Sequence, residues 1–182
     1  MSETDEREYV ERLESHREEK SEFFSDHPRS PIPDDERASF DGLEYYPVDP
    51  EYRFVVALDE HDEKERVTVE TTTGEDREYL RWGTFTVELA GESVTLQAYR
   101  GDPDEDRLWV PFRDETSGEE TYGAGRYLDL EADDRTDDGR WVLDFNTAYN
   151  PTCAYAEGFS CPLPPSENWL DVPVWVGERS PH

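Results

Sequence analysis

The stretch T-F-T-V-E-L-A-G-E-S-V-T-L-Q-A, residues 84–98, decides the fold class. Phe85, Val87 and Leu89 alternate with Thr84, Thr86 and Glu88, and after Ala90, Gly91 and Glu92 the alternation resumes with Val94, Leu96 and Ala98. A period of two puts one set of side chains on one face of a strand. Two such runs about a short glycine-containing turn therefore predict an antiparallel hairpin with one buried face.

The same pattern extends outward. Upstream, Phe54, Val56 and Leu58 share a face, and Val67 and Val69 alternate with Thr and Glu. Downstream, Leu108, Val110 and Phe112 follow an acidic turn at 101–106, and further strands are expected near 127–130, 140–146 and 172–176. About eight short strands separated by turns, with no intervening helices to connect parallel pairs, predict a mainly β fold: an antiparallel β-barrel or sandwich. The chain shows no internal repeat.

The ends of the pattern differ. Residues 2–24 read as a helix, with Ser2 or Thr4 as cap, acids in the first turn, and a thin stripe of Tyr9, Leu13, Lys20, Phe23 and Phe24. The expected layout is an N-terminal α-helix, 1–26, packed on the outside of a single β domain, 27–182. Residues 27–50 carry five prolines, yet also Phe40, Leu43, Tyr45 and Tyr46, so an ordered, packed arm is expected rather than a free linker.

Charge constrains the environment. The 182 residues hold 47 acidic and 18 basic side chains, a net charge of −29, with only 34% hydrophobic and 13% aromatic residues. Such a chain repels nucleic acid phosphates and anionic membrane surfaces, so neither is an expected partner. High charge with low hydrophobicity can mean disorder. The regular strand pattern and the aromatics favour the other reading, a folded protein in concentrated salt, where screening shrinks the reach of self-repulsion. That reading implies a halophile's cytoplasm and instability when salt is removed. The first residues have neither a basic start nor an apolar run, and no apolar run is long enough for a membrane span.

One region concentrates the chemistry. From Tyr122 the chain reads Y-G-A-G-R-Y-L-D-L, and from Trp141 W-V-L-D-F-N-T-A-Y-N-P-T-C-A-Y-A-E-G-F-S-C-P-L-P-P-S-E-N. If the strands near 127–130 and 140–146 pair, Leu128, Leu130, Trp141, Leu143 and Phe145 join the core. Asp129, Asp144 and Asn146 then gather on the opposite face, where an ordinary solvated face is the plain alternative. Residues 147–171 form a long connection without helix or strand signals, stiffened by four prolines and carrying Tyr149, Tyr155, Phe159 and Trp169. Such connections are usually functional, and this one is expected to fold over the polar face as a lid.

The expected ligand-facing residues are Arg126, Asp129, Asp144, Asn146, Tyr149, Asn150, Tyr155, Glu167 and Asn168. Asp144 and Glu167 are the candidate catalytic pair, as acid and base of a hydrolysis. Arg126 either pairs with a carboxylate or forks onto a ligand's carboxylate or phosphate. Gly123 and Gly125 resemble part of a phosphate loop but lack the following helix, so a tight bend is the better reading.

Cys153 and Cys161, spaced C-x7-C, do not match a zinc site. They read as a structural pair, either a loop-closing disulfide or two buried thiols. The histidines, His16, His27, His61 and His182, all lie outside the region. No metal or cofactor is expected.

Four blocks carry a resemblance: F-x-G-L-x-Y-Y-P-V-D-P-x-Y-R at 40–53, P-F-R-D-E-T-S-G-E-E-T-Y-G-A-G-R-Y-L-D-L at 111–130, L-D-F-N-T-A-Y-N-P-T-C-A-Y at 143–155 and C-P-L-P-P-S-E-N at 161–168. Together they resemble the bacterial and archaeal domain of unknown function numbered 1684. The resemblance implies a single-domain family and brings no established activity. Some relatives are exported, which the N-terminus of this chain does not match. Two functions are therefore expected in competition: a polar or anionic small-molecule pocket, hydrolytic in its sharper form, or a non-catalytic domain that binds a partner or itself through the aromatic, proline-rich loop.

Overall fold

The computed structural model describes residues 2–181. Helix α1 (Glu3–Asp26) opens with a reciprocal cap, in which the Asp5 amide donates to Ser2 Oγ at 3.2 Å and the Ser2 amide to the Asp5 carboxylate at 3.4 Å. It stops at His27, ahead of Pro28, whose ring disfavours a helical residue before it. A single turn, α2 (Asp34–Arg37), interrupts the proline-rich arm.

Seven strands follow: β1 (Arg53–Val56), β2 (Asp59–Glu70), β3 (Asp76–Leu89), β4 (Glu92–Arg100), β5 (Leu108–Phe112), β6 (Arg126–Leu130) and β7 (Trp141–Asp144). They form a five-stranded antiparallel sheet in the order β2-β3-β4-β5-β6 and a two-stranded sheet β1-β7. The expected choice between barrel and sandwich resolves to the open, sandwich-like form. The inner face of the large sheet, with Phe85, Val87, Leu96, Leu108, Val110 and Leu128, packs against Trp141, Leu143, Phe145 and Phe54 of the small sheet and its flanks.

The β3–β4 hairpin forms in the expected register, with Phe85 opposite Leu96 and Val87 opposite Val94. Leu89 pairs with Glu92, so Ala90 and Gly91 alone make the turn, at φ 51° and 80°. Two left-handed residues give the turn whose twist suits adjacent strands.

Three expectations are corrected. First, β6 and β7 do not pair: β6 lies against β5 and β7 against β1. The acidic connection between them carries the chain from one sheet to the other, so Asp129 and Asp144 are not cross-strand neighbours.

Second, residues 172–176 are not a strand. Their backbone groups are taken by a buried ion pair instead. The Arg126 guanidinium donates to the carbonyls of Val174 at 2.9 Å, Val176 at 2.5 Å and Glu178 at 3.2 Å. The Asp114 carboxylate accepts the Val174 amide at 2.6 Å. Side chains thus replace a neighbouring strand and satisfy groups that could not be left bare in the core.

Third, residues 147–171 do not cover Asp144 and Asn146. They run across the outer face of the large sheet. Tyr149 exchanges two backbone hydrogen bonds with Tyr127, Leu163 donates to Glu70 and Leu170 to Arg113. Helix α1, rather than the loop, lies over Asp144 and Asn146.

Candidate functional site

The outer face of the large sheet is aromatic where it meets the loop. Tyr79 stacks on Trp109 with ring centres 4.7 Å apart, and Trp109 meets Tyr127 edge to face at 5.3 Å. Tyr127 in turn meets Tyr149 edge to face at 5.7 Å. The face is closed off by Cys161 and Pro162, which bond to the β2–β3 turn: the Thr72 amide donates to Cys161 O at 3.0 Å, and the Cys161 amide to Thr72 Oγ1 at 3.1 Å. Cys153 and Cys161 form a disulfide with Cα atoms 6.4 Å apart, fixing the loop tip beside that turn. Of the two readings left open for the cysteines, the structure takes the bridge.

Glycines mark two close approaches. Gly125 sits at φ +109°, with a built Cβ only 2.5 Å from the Phe112 carbonyl, so only glycine fits the bend that aims Arg126 inward. Gly177, at φ +83°, also packs closely, with a built Cβ 2.9 Å from Ala148.

The expected site residues separate into groups. Arg126 is fully buried (0% exposed) and serves Asp114 and the C-terminal carbonyls. Burial works against its charge, and the Asp114 carboxylate supports it. Asn168, also 0% exposed, fills a gap between β4 and β5. Its amide oxygen accepts the Gln97 amide at 2.8 Å, and its NH2 donates to Gln97 O at 2.9 Å and Pro111 O at 2.8 Å. Pro111 has no N–H to offer β4, so a side-chain amide completes the ladder.

Asn146 performs a similar task for the arm. It accepts the Asp49 amide at 2.9 Å and donates to Asp49 O at 2.8 Å and to the Asp144 carboxylate at 2.9 Å. Asp144 also accepts the hydroxyl of Tyr9 from α1. Glu167 lies elsewhere, on the outer face, accepting the Tyr99 hydroxyl and pairing with Arg81 at 2.9 Å. Asp144 and Glu167 therefore line different clefts and are not arranged as one acid–base pair.

Tyr149, Asn150 and Tyr155 do come together, in a cleft of about 370 Å³ between α1, the start of the loop and residues 160–162. Its walls are Phe24, Tyr127, Tyr149 and Tyr155, with Pro151 and Pro162. Two cations reach it, Lys20 from α1 and Arg77 from β3. Among the described residues no carboxylate lines it, in a chain with 47 acidic side chains. Lys20 pairs with Glu178, which lies behind it at 1% exposure and also accepts the Tyr155 hydroxyl at 2.5 Å and the Asn150 amide at 3.2 Å. One of the three ammonium donors is thereby used. Arg77 spends one nitrogen on Ser160 O at 2.6 Å. The remaining donors of both cations have no protein partner among the described residues.

Sequence reasoning missed Lys20, Arg77 and Glu178 as members of a site. One signal for Lys20 was present: it is one of two lysines among 18 basic residues. Among the described residues no group of three or more His, Cys, Asp or Glu side chains is placed to hold a metal ion. His182 lies outside the described residues. No helix of the described residues is long and apolar enough to cross a membrane.

These features define a strongly acidic, mainly antiparallel β protein whose N-terminal helix walls a cleft free of carboxylates. The chain belongs to the family described as "Protein of unknown function (DUF1684)", which matches residues 38–179. It is similar to an uncharacterised protein of Haloarcula marismortui solved by solution NMR, with 46% identity, a TM-score of 0.74, and coverage of 98% of this chain and 97% of that one. Among curated proteins none matches.

Proposed function

We propose that this protein binds a small anionic ligand, a carboxylate or phosphate, without covalent chemistry, in the cleft between α1 and residues 149–162. The observation that carries the reading is the lining itself: two cations with uncommitted donors and no carboxylate, on a molecule of net charge −29. Such a surface repels anions almost everywhere, so the potential near Lys20 and Arg77 is the exception. The volume suits a small molecule. The anion-holding role expected of Arg126 passes to Lys20 and Arg77, because Arg126 is committed to Asp114. A hydrolytic reading is not favoured, since Asp144 and Glu167 stand apart.

The composition also supports a protein adapted to a salt-rich cytoplasm. At molar salt the Debye length is about 3 Å, so long-range attraction is lost and binding must rest on direct hydrogen bonds. The test is a thermal-shift series in molar potassium chloride with small carboxylates and phosphate. A true ligand at a hundredfold excess over its Kd raises Tm by about 5–10 °C. Arg77→Met loses most of that rise, whereas Arg66→Met, an equal charge change outside the cleft, keeps it. A response equal in all three proteins, or none to any anion, contradicts the reading.

A further inference from the structure

We infer that the ligand of this cleft is an aromatic anion, an aryl carboxylate or its close equivalent; the inference rests on the anion-binding reading above. The walls are two edge-to-face ring pairs, Phe24 with Tyr155 at 5.1 Å and Tyr127 with Tyr149 at 5.7 Å. The Lys20 ammonium lies near both, 5.7 Å from the centre of Phe24 and 5.1 Å from that of Tyr149.

The decisive point is where the tyrosine hydroxyls go. Tyr127 gives its hydroxyl hydrogen to the Pro162 carbonyl, Tyr149 to Asp129 and Tyr155 to Glu178. Asp129 and Glu178 are not in this lining. All three polar ends are committed, so the rings present carbon surface to the cleft. The Ser160 hydroxyl is likewise shared with Thr73 at 2.8 Å. A hydroxyl-rich ligand such as a sugar acid would find few partners here beyond Thr152 and the buried, unpartnered Asn150 Oδ1, so most of its own hydroxyls would be desolvated without return. A flat ring finds edges and faces of the kind it packs on best. Its charged group meets Lys20 and Arg77.

Calorimetric titration in molar salt with acetate, benzoate, cyclohexanecarboxylate and gluconate separates the possibilities. Benzoate is expected to bind about tenfold more tightly than acetate or gluconate, and roughly two- to tenfold more tightly than cyclohexanecarboxylate, the range for aromatic pairing beyond buried area. Phe24→Leu is expected to erase the preference for benzoate over cyclohexanecarboxylate. Acetate or gluconate binding as well as benzoate overturns the aromatic assignment while leaving an anion site in place. Cyclohexanecarboxylate equal to benzoate reduces the cleft to an apolar one and overturns it too. Failure of every carboxylate to bind removes the site itself.

Discussion

Four tyrosines, Tyr9, Tyr99, Tyr149 and Tyr155, each give a hydroxyl hydrogen to a carboxylate: Asp144, Glu167, Asp129 and Glu178. In each, burial first and then the carboxylate partner, through its negative charge and the hydrogen bond it accepts, push the hydroxyl well above the ordinary tyrosine value. A titration consequence follows. Above about pH 10 the unfolded chain loses phenolic protons that the folded chain keeps. The unfolded state then binds fewer protons, so stability is fully present below that pH and falls as pH rises beyond it, by up to about 1.4 kcal/mol per pH unit for each group. Thermal melts between about pH 9 and pH 11 should show Tm falling, and Tyr155→Phe should show a shallower fall. A Tm that stays level across this window contradicts the pairing. Individual residues were the least legible level of the sequence. Arg126, Asn146 and Asn168 stood out as polar groups in a rich region, but their partners are backbone groups of distant segments, and a linear reading has no means to find those. Pro111 was visible; that Asn168 would complete its ladder was not.

At the scale of elements, alternation made β3 and β4 plain, because one face of each is more buried than the other; β5 was legible from its apolar residues although both of its faces are buried. The first eight residues of β2, D-E-H-D-E-K-E-R, have no apolar alternation and gave no signal; β2 is an edge strand whose charges discourage further pairing. Residues 172–176 misled for the opposite reason. Val172, Val174 and Val176 are buried with strand-like spacing, but Arg126 and Asp114 occupy the place of a partner strand. Arg126→Met should therefore cost about 3–5 kcal/mol, since it leaves the buried Asp114 carboxylate without its counter-charge and the carbonyls of Val174, Val176 and Glu178 without that donor. Arg126→Lys should recover little, because one ammonium cannot span three carbonyls and a carboxylate. Denaturant midpoints decide this; a loss below about 1 kcal/mol would mean the segment is held by its valines alone. The loop at 147–171 was expected to be ordered and to roof the polar face that carries Asp144 and Asn146; it crosses the outer face of the large sheet instead. Its direction was misread because β6 and β7 were expected to pair.

Across the whole molecule, helix α1 ties the charge pattern to the cleft. It buries only Tyr9 and Phe24 and is otherwise held by polar contacts, including Arg17 to the carbonyls of Tyr46 at 2.8 Å and Asn146 at 3.1 Å. On the salt-adapted reading proposed above, a helix held in this way, in a chain of net charge −29, needs salt to screen repulsion. Dilution from molar to low salt should lower Tm by on the order of 10 °C; a Tm indifferent to salt would remove the case for salt adaptation. The fold class and the acidity were thus readable from composition and period, whereas the cleft was not, because it needs Lys20, Arg77 and Tyr149 brought together from three distant segments.

Anions are expected to dock at that junction in preference to any other cleft of the described residues. Amide and side-chain NMR shifts followed during titration with benzoate in molar potassium chloride test it most directly. The perturbed signals should cluster at Lys20, Phe24, Arg77, Tyr149–Thr152 and Ser160–Cys161 and saturate together. Shifts centred instead on the separate cleft that Tyr9, Arg53, Asp129 and Asp144 line, or scattered weakly over the surface, would contradict it.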